Sequence, residues 1–464
     1  MTTVFPPNSW TLIAAGLCLA QHLAGAEPSA ASGTDARLRV IIETDAGGDP
    51  DDEQSLVRFL LYCNEWDVEG IIANRPLARE GENRNAERTG LGIVRAQIKA
   101  YAACYSTLVR HDPRYPHPDQ LWKRTVPGYE DRTEALDLVL ASLDRPDPRP
   151  VWFSNWGTDH GSSPSNLKRA LDLVRRQRGE EEYARVKSRV RLSSADAFGD
   201  HTTSIEPPWS LWVDTFRPEF DGKRWYHRFS ALTAKAGGLD VERDVRTGHG
   251  PLGALYPLNT THPQKEGDTM AFLYLVPTGM NDVNHPEWGS WAGRYGPKGG
   301  AATGYYWANQ SDTWQGTTHR DQTLARWARD LQNDFRARLD WCVKPPEEAN
   351  HPPVAVVNDR PGLGVVRLTA SKAAADLGQM ELTAVGSSDP DGDQLTYDWW
   401  IYSEAGNYRG ASAAIADPHS ATARLRLPPD LSDHELHVIL GVRDQGEPPL
   451  ARYRRVIVTR ELSH

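Results

Sequence analysis

Between Arg37 and Asn74 the chain reads RLRVIIETDAGGDPDDEQSLVRFLLYCNEWDVEGIIAN. The run Val40, Ile41, Ile42 is apolar and β-branched without alternation, the pattern of a strand buried on both faces of a parallel sheet. Four carboxylates follow at its carboxyl end, Asp45, Asp49, Asp51 and Asp52, within eight residues. Leu56, Phe59, Leu60 and Cys63 then recur at helical spacing, with Asp51 or Asp52 placed to cap the helix and favoured there by its dipole. Val68 to Ala73 supplies the next strand. In such a βαβ unit the acidic loop lies outside the strand ends, where open α/β sheets bind ligands.

One acid suffices to cap a helix, so four call for another explanation. Carboxylates forced together repel and raise one another's pKa unless a cation neutralises them, and calcium gathers oxygen ligands from such groups. Gly47 and Gly48 let the backbone turn sharply enough to aim several side chains at one point. The loop is therefore a candidate hard-cation site.

The strand, loop, helix order recurs along the chain. An amphipathic helix is expected over Ala86 to Leu108, another over Glu134 to Leu143, a buried strand over Pro150 to Phe153, and a helix from Leu167 to Arg175 after the loop NWGTDHGSSPSN. Together these predict a doubly wound, mostly parallel α/β sheet over residues 37–344. The segment PPEEANHPP, 345–353, is a linker by composition. Residues 354–462 alternate short β-patterned runs with turns, which fits an all-β immunoglobulin-like sandwich. Asp389, Asp391 and Asp393 read as a turn there, since the run lacks the terminal Glu of an EF-hand loop. Trp399 and Trp400 cannot both face inward on a strand, so one packs the core and the other faces the surface or the first domain.

A net charge of −10 excludes nucleic acid as a partner, because binding its backbone requires a basic face. Residues 1–26 carry an apolar run and the small-residue ending Ala24-Gly25-Ala26, the pattern of a secretory signal. The expected location is periplasmic or extracellular. The apolar run is too short to span a bilayer, so no stable membrane insertion is expected. Removing the signal leaves Cys63, Cys104 and Cys342, an odd number that cannot form a full disulfide framework.

ETDAGGDPDDEQSL after a buried strand, followed by GIIAN, resembles the signature of the nucleoside hydrolase fold. VWFSNWG, EGDTMAFLYLVPTGMND, HPEWGSWAGRYG and NDFRARLDWCV extend the likeness. The whole chain resembles the cellulose-binding Sde182 family, secreted nucleoside-hydrolase-like proteins with a C-terminal immunoglobulin-like domain. That resemblance implies a Ca²⁺ site built from Asp45, Asp52 and Asp268, with Thr158 offering a further oxygen. It also implies Asn74, with Asp49 or Asp51, on the hydroxyls of a bound sugar, and Asp196 as a further sugar contact. Trp288 and Trp291, in the aromatic stretch from Asn281 to Trp314, are expected on a carbohydrate-facing wall.

The expected function is Ca²⁺-dependent hydrolysis of a glycosidic bond, with Asp45 taking a proton from the attacking water. The alternative is a non-catalytic carbohydrate- or cellulose-binding protein. Glu43 leads the motif instead of Asp, Ala46 replaces a proline, Gly48-Asp49-Pro50 lengthens the loop, and Gly267 stands where nucleoside hydrolases place a histidine before Asp268. Cleavage of nucleosides is therefore not expected.

Overall fold

The first strand, β1 (Leu38–Thr44), is buried from Arg39 onward. Val40 and Ile42 enter one hydrophobic cluster while Ile41 enters another on the opposite face. Both faces are covered, which is why the strand shows no polar alternation. The computed structural model describes residues 37–80, 86–129, 131–157, 165–194, 209–215, 238–258, 263–299, 303–410, 413–432 and 434–460. Within them β2 (Trp66–Ala73), β3 (Thr125–Pro127), β4 (Val151–Asn155), β5 (Val190–Ser194), β6 (Trp212–Asp214), β7 (Gly296–Pro297) and β8 (Tyr305–Trp307) complete an eight-stranded sheet. Its order is β3-β2-β1-β4-β5-β6-β8-β7, and every pairing is parallel except β7 with β8.

Helices cover both faces. On one side lie α1 (Asp51–Tyr62) and α2 (Gly90–His111), whose Leu56, Phe59, Ile93 and Val94 join Val40 and Ile42. The short α3 (Pro118–Lys123) lies beside β2 and β3. On the other side α4 (Glu134–Asp144), α5 (Asn166–Arg178) and α6 (Glu180–Ser188) pack Val139, Leu171 and Val186 around Ile41 and Phe153. No helix among the described residues is long and apolar enough to cross a membrane.

After a small hairpin, β9 (Asp312–Trp314) and β10 (Thr317–His319), the chain builds a sandwich. One sheet has the order β11-β17-β16-β13, from Val366–Ala370, Ala451–Arg460, Leu436–Arg443 and Thr396–Ile401. The other is β12-β15-β14, from Gln379–Thr383, Thr422–Arg426 and Ala414–Ala416. Trp399 fills the core between them. Trp400, on the opposite face of β13, lies against Trp327 of the first domain, with ring centroids 6.0 Å apart, so the two tryptophans divide as the alternation requires.

The aromatic stretch does not form the expected wall at Trp288 and Trp291, which are only 5% and 1% exposed. Trp288 stacks on His285 at 3.7 Å and meets His437 of β16 edge-on at 5.2 Å. Arg455 of β17 donates to the Trp288 carbonyl at 2.7 Å. The second domain covers Trp288 and Trp291, the latter beneath Arg452 of β17, so these two rings serve the seam between domains. There the backbones touch directly: Tyr453 N–H donates to Thr278 O and Arg455 N–H to Gly279 O, both at 3.0 Å. Gly279 sits at φ +85°, and a Cβ would lie 1.9 Å from the Tyr453 carbonyl oxygen. The described residues, from Arg37 on, accordingly belong to one compact unit.

Candidate metal and ligand site

From β1 the chain runs outward to β2 and β3, then crosses back to β4 on the other side of β1. This is the switch point at which doubly wound sheets open a crevice. Asn74, just past β2, ties the strand ends together: its N–H donates to Thr44 O at 3.0 Å and its Nδ2 to Gly157 O at 2.9 Å and to Glu43 Oε1 at 3.2 Å. A tight turn brings Gly48 N–H to Asp45 O at 3.1 Å, with Gly47 at φ +98°. A Cβ on Gly157 would lie 2.8 Å from Asp45 Oδ1. Glycine after β4 therefore lets the Asp45 carboxylate sit against the neighbouring loop.

Neither Asp51 nor Asp52 caps α1. Pro50 takes the cap position without a side-chain bond, and both acids lie inside the first turn. A proline there fixes the chain direction, freeing the carboxylates for other partners. Asp52 accepts from the Thr44 hydroxyl and hydrogen-bonds Asp45, while Asp51 hydrogen-bonds Asp49. Carboxylate oxygens of Asp49, Asp51 and Asp52 all lie within 4.8 Å of one another. Lys265 pairs with Asp49, and its Nζ is 3.2 Å from Asp51 Oδ2.

Asp268 arrives from far along the chain through a clamp on α1. Gln54 Oε1 accepts from Lys265 N–H at 2.8 Å and Glu266 N–H at 3.0 Å. Arg58 forks onto Glu266 at 2.6 and 2.9 Å, and Tyr256 and Gln264 donate to the same carboxylate at 2.8 Å each. The helix that starts α1's acidic turn thus also docks the segment carrying Asp268. Asp268 holds the N-cap position of the helix Thr269–Leu273 but makes no capping bond. Its Oδ2 is buried without a hydrogen-bond partner.

The electrostatics follow from this crowding. Burial raises the pKa of Asp52, and the charges of Asp268, Asp45 and Asp51 raise it further. Asp268 is raised by burial and by Asp51, Asp45 and Asp49, against the opposing charge of Lys265. Asp51 is raised by burial and by its hydrogen bond with Asp49. Burial also works upward on Asp49, but the bond from Asp51 and the Lys265 ammonium outweigh it and leave Asp49 at about 2. Asp52 hydrogen-bonds Asp45 and Asp51 hydrogen-bonds Asp49, and burial with mutual repulsion pushes Asp51 and Asp52 upward, as happens to crowded carboxylates that cations do not match. Hard oxygens in this number, one of them unpartnered, suit a divalent ion, so the residues present fit a metal.

Two family models match the chain: the nucleoside hydrolase-like domain of cellulose-binding Sde182 over residues 39–295, and the C-terminal domain of cellulose-binding protein Sde0182 over residues 379–460. The chain belongs to the cellulose-binding Sde182 family. Its fold is similar to that of a nucleoside hydrolase-related protein from Saccharophagus degradans, described as associated with carbohydrate metabolism. The identity is 28%, the TM-score 0.71, and the match covers 92% of this chain and 100% of that one. A PKD-domain solution structure also matches, at 17% identity over 22% of this chain and 84% of that one, with a TM-score of 0.16. The search of curated proteins returned no match.

In this Sde182-family chain the structure brings Asp45, Asp49, Asp51, Asp52, Asp268 and Asn74 to one place. Thr158 and Asp196 lie outside the described residues. Sequence reading missed Lys265, which stands three residues before Asp268 and supplies the cation beside Asp49 and Asp51. It also missed how Glu43 is used. Burial lifts its pKa to about 7 against hydrogen bonds from Asn74 and Asn166, and Asn166 Nδ2 donates to it at 2.7 Å. Asn155, at the end of β4, bonds Gly157 N–H through Oδ1 at 3.0 Å and leaves Nδ2 buried without a partner.

Proposed function

We propose that this chain is a secreted saccharide-binding protein whose ligand places its hydroxyls in the switch-point pocket, with Ca²⁺ as the ion held there. The observation that carries this reading is the set of buried polar atoms left without partners around the strand ends: Asn74 Oδ1, Asn155 Nδ2 and Asp268 Oδ2. Neighbouring sugar hydroxyls both donate and accept, so a diol satisfies this mixed set where an apolar ligand leaves it bare. The cellulose-binding description of both matched family models supports the same ligand class.

Asp45, Asp52 and Asp268, with Thr158, would hold the ion; Asn74 and one of Asp49 and Asp51 would grip hydroxyls, and Asp196 would add a contact. When bound, Ca²⁺ supplies positive charge that neutralises the acids and polarises ligand oxygens. Lys265 positions Asp49 and Asp51 through its two ion pairs. Calorimetry with soluble cello-oligosaccharides, in CaCl₂ and in EDTA, tests the reading. Binding in calcium that is lost in EDTA and in Asp268→Asn is expected; binding indifferent to EDTA and to Asn74→Ala would end it.

One observation favours a second reading, hydrolysis of a glycosidic bond. Asp45 lies against the loop after β4, its Oδ1 2.8 Å from where a Cβ on Gly157 would sit; there it would take a proton from a water, with the remaining carboxylates stabilising an oxocarbenium-like centre. Reducing-sugar release by the native chain, abolished in Asp45→Asn while saccharide binding survives, is the expected result. No release from any saccharide leaves binding alone.

A further inference from the structure

The linker residue Asn350, the turn from Asp389 to Asp393 and the loop from Asp444 to Leu450 meet beside the junction of the two domains. The linker is pinned to the turn: Val354 bridges Ser388 in antiparallel fashion, His351 N–H donates to Asp391 Oδ2 at 2.7 Å, and its ring Nδ1 is 2.9 Å from Asp391 Oδ1. Asn350 Nδ2 in turn donates to Asp444 Oδ1 at 3.1 Å and to Pro448 O at 2.8 Å. Gly446 makes the closure possible, since a Cβ there would lie 2.3 Å from the Asn350 amide.

Each of three side chains spends one polar atom on the protein and keeps an oxygen back. Asp444 Oδ1 accepts from Gly446 N–H at 3.0 Å and Leu450 N–H at 2.9 Å, as well as from Asn350. Asp389 Oδ1 accepts from Asp391 N–H at 2.9 Å and Asp393 N–H at 3.1 Å. Asp444 Oδ2, Asp389 Oδ2 and Asn350 Oδ1 are buried and have no hydrogen-bond partner. Asp444 is only 1% exposed and Asn350 only 6%, and the charge of Asp389 is felt at Asp444. All three leftover atoms are acceptors. A buried acceptor without a donor is costly, and a group of them with no donor among them suits a hard cation.

We propose that Asn350, Asp389 and Asp444 form a second divalent-cation site, of calcium's chemical class, that fastens the linker to the sandwich domain. Asp391 and Asp393 add negative charge around it. The turn reading of Asp389 to Asp393 and the cation reading are the same geometry: turn amides saturate one oxygen of Asp389 and leave the other for the ion.

The test is calorimetric titration of the chelator-treated full chain with CaCl₂, with melting followed in EDTA and in calcium. Two equivalents per chain are expected. Asp389→Asn and Asp444→Asn each keep Oδ1 as an acceptor, so both should melt within a few degrees of the native chain in EDTA. Each should lose one equivalent, or bind it at least tenfold more weakly, and lose part of the calcium-dependent rise in Tm. Asp268→Asn should lose the other equivalent. Native stoichiometry and affinity in both Asp389→Asn and Asp444→Asn would overturn the second site and leave the pocket standing. Loss in those two variants with none in Asp268→Asn would overturn the pocket instead.

Discussion

Buried charge is handled in opposite ways at the domain seam and at the switch-point pocket. At the seam Asp334 accepts from Tyr62 at 2.7 Å, Arg338 at 2.9 Å and Arg452 at 2.8 Å. Burial works to raise its pKa, but the two arginines hold it well below the usual carboxylate range. Asp312 is likewise ringed by Arg294 at 2.8 Å, Arg326 at 3.3 Å and the Tyr402 hydroxyl at 2.6 Å. In the pocket Asp51, Asp52 and Asp268, at similar depth, are driven upward by burial and by the charges of neighbouring acids. Counter-charge makes the difference. An acid matched by fixed arginines is finished structure, whereas crowded acids with too few cations are a site prepared for something to arrive.

The sharpest way to break that contrast is to unmatch the seam. Arg338 is buried and bonds Glu65 at 2.5 Å, Asp334 at 2.9 Å and Asn64 Oδ1 at 2.7 Å. Arg338→Met takes the guanidinium away from both Glu65 and Asp334 and leaves Arg452 as the one arginine bonded to Asp334, and about 3–5 kcal/mol of stability should be lost. Guanidinium denaturation reads it; a loss under about 1 kcal/mol would mean the seam charges are not the matched network described.

A second handle on the seam is pH. His437 is buried, and burial, then the charges of Arg455, Arg367 and His285, push its pKa down to about 2, although Glu435 lies 3.7 Å from its Nε2. The folded chain holds this ring neutral, so as pH falls below about 6.5 only the unfolded chain gains the proton. The contribution is complete above that pH and declines by about 1.4 kcal/mol per pH unit below it. Denaturation midpoints between pH 7 and pH 5 should fall more steeply for the native chain than for His437→Gln. Equal slopes would show that the ring is charged in the fold.

Glycine at 157 connects the contrast to function. Gly157→Ala pushes a methyl toward Asp45 Oδ1, 2.8 Å from the Cβ position. Seam stability should hardly change, while calcium affinity at the pocket drops about tenfold, near 1.4 kcal/mol. An unchanged affinity would place Asp45 outside the ion's reach.

What was legible in the sequence follows the same division. The β1, α1, β2 unit could be read because its signals are local: an apolar run, a helical repeat, a second apolar run. The split of Trp399 and Trp400 followed from strand alternation alone. Asp268 came only through resemblance, because nothing local ties it to Asp52; the tie is the Arg58–Glu266 pair, 208 positions apart in the chain. Trp288 and Trp291 misled for a related reason. An aromatic-rich loop looks alike whether a sugar or a distant strand covers it, and here β16 and β17 cover it. The cap reading of Asp51 and Asp52 failed on one residue, Pro50, which occupies the cap position ahead of both.

The smallest effect is also the one whose sign changes. In chelated protein Asp52→Asn removes one of several mutually repelling acids, and because burial and the charges of Asp268, Asp45 and Asp51 already push Asp52 toward its neutral form, the relief is modest, a gain of about 1 kcal/mol. In calcium the native chain should gain stability from the bound ion, as any ligand selective for the folded state provides, and the variant should forgo that gain at the pocket. Melting curves of the two proteins should therefore cross: the variant higher in EDTA, lower in calcium. A variant that is lower in both would put Asp52 in the same class as Asp334, a carboxylate the fold needs charged and bonded, and the contrast between pocket and seam would not hold at that residue.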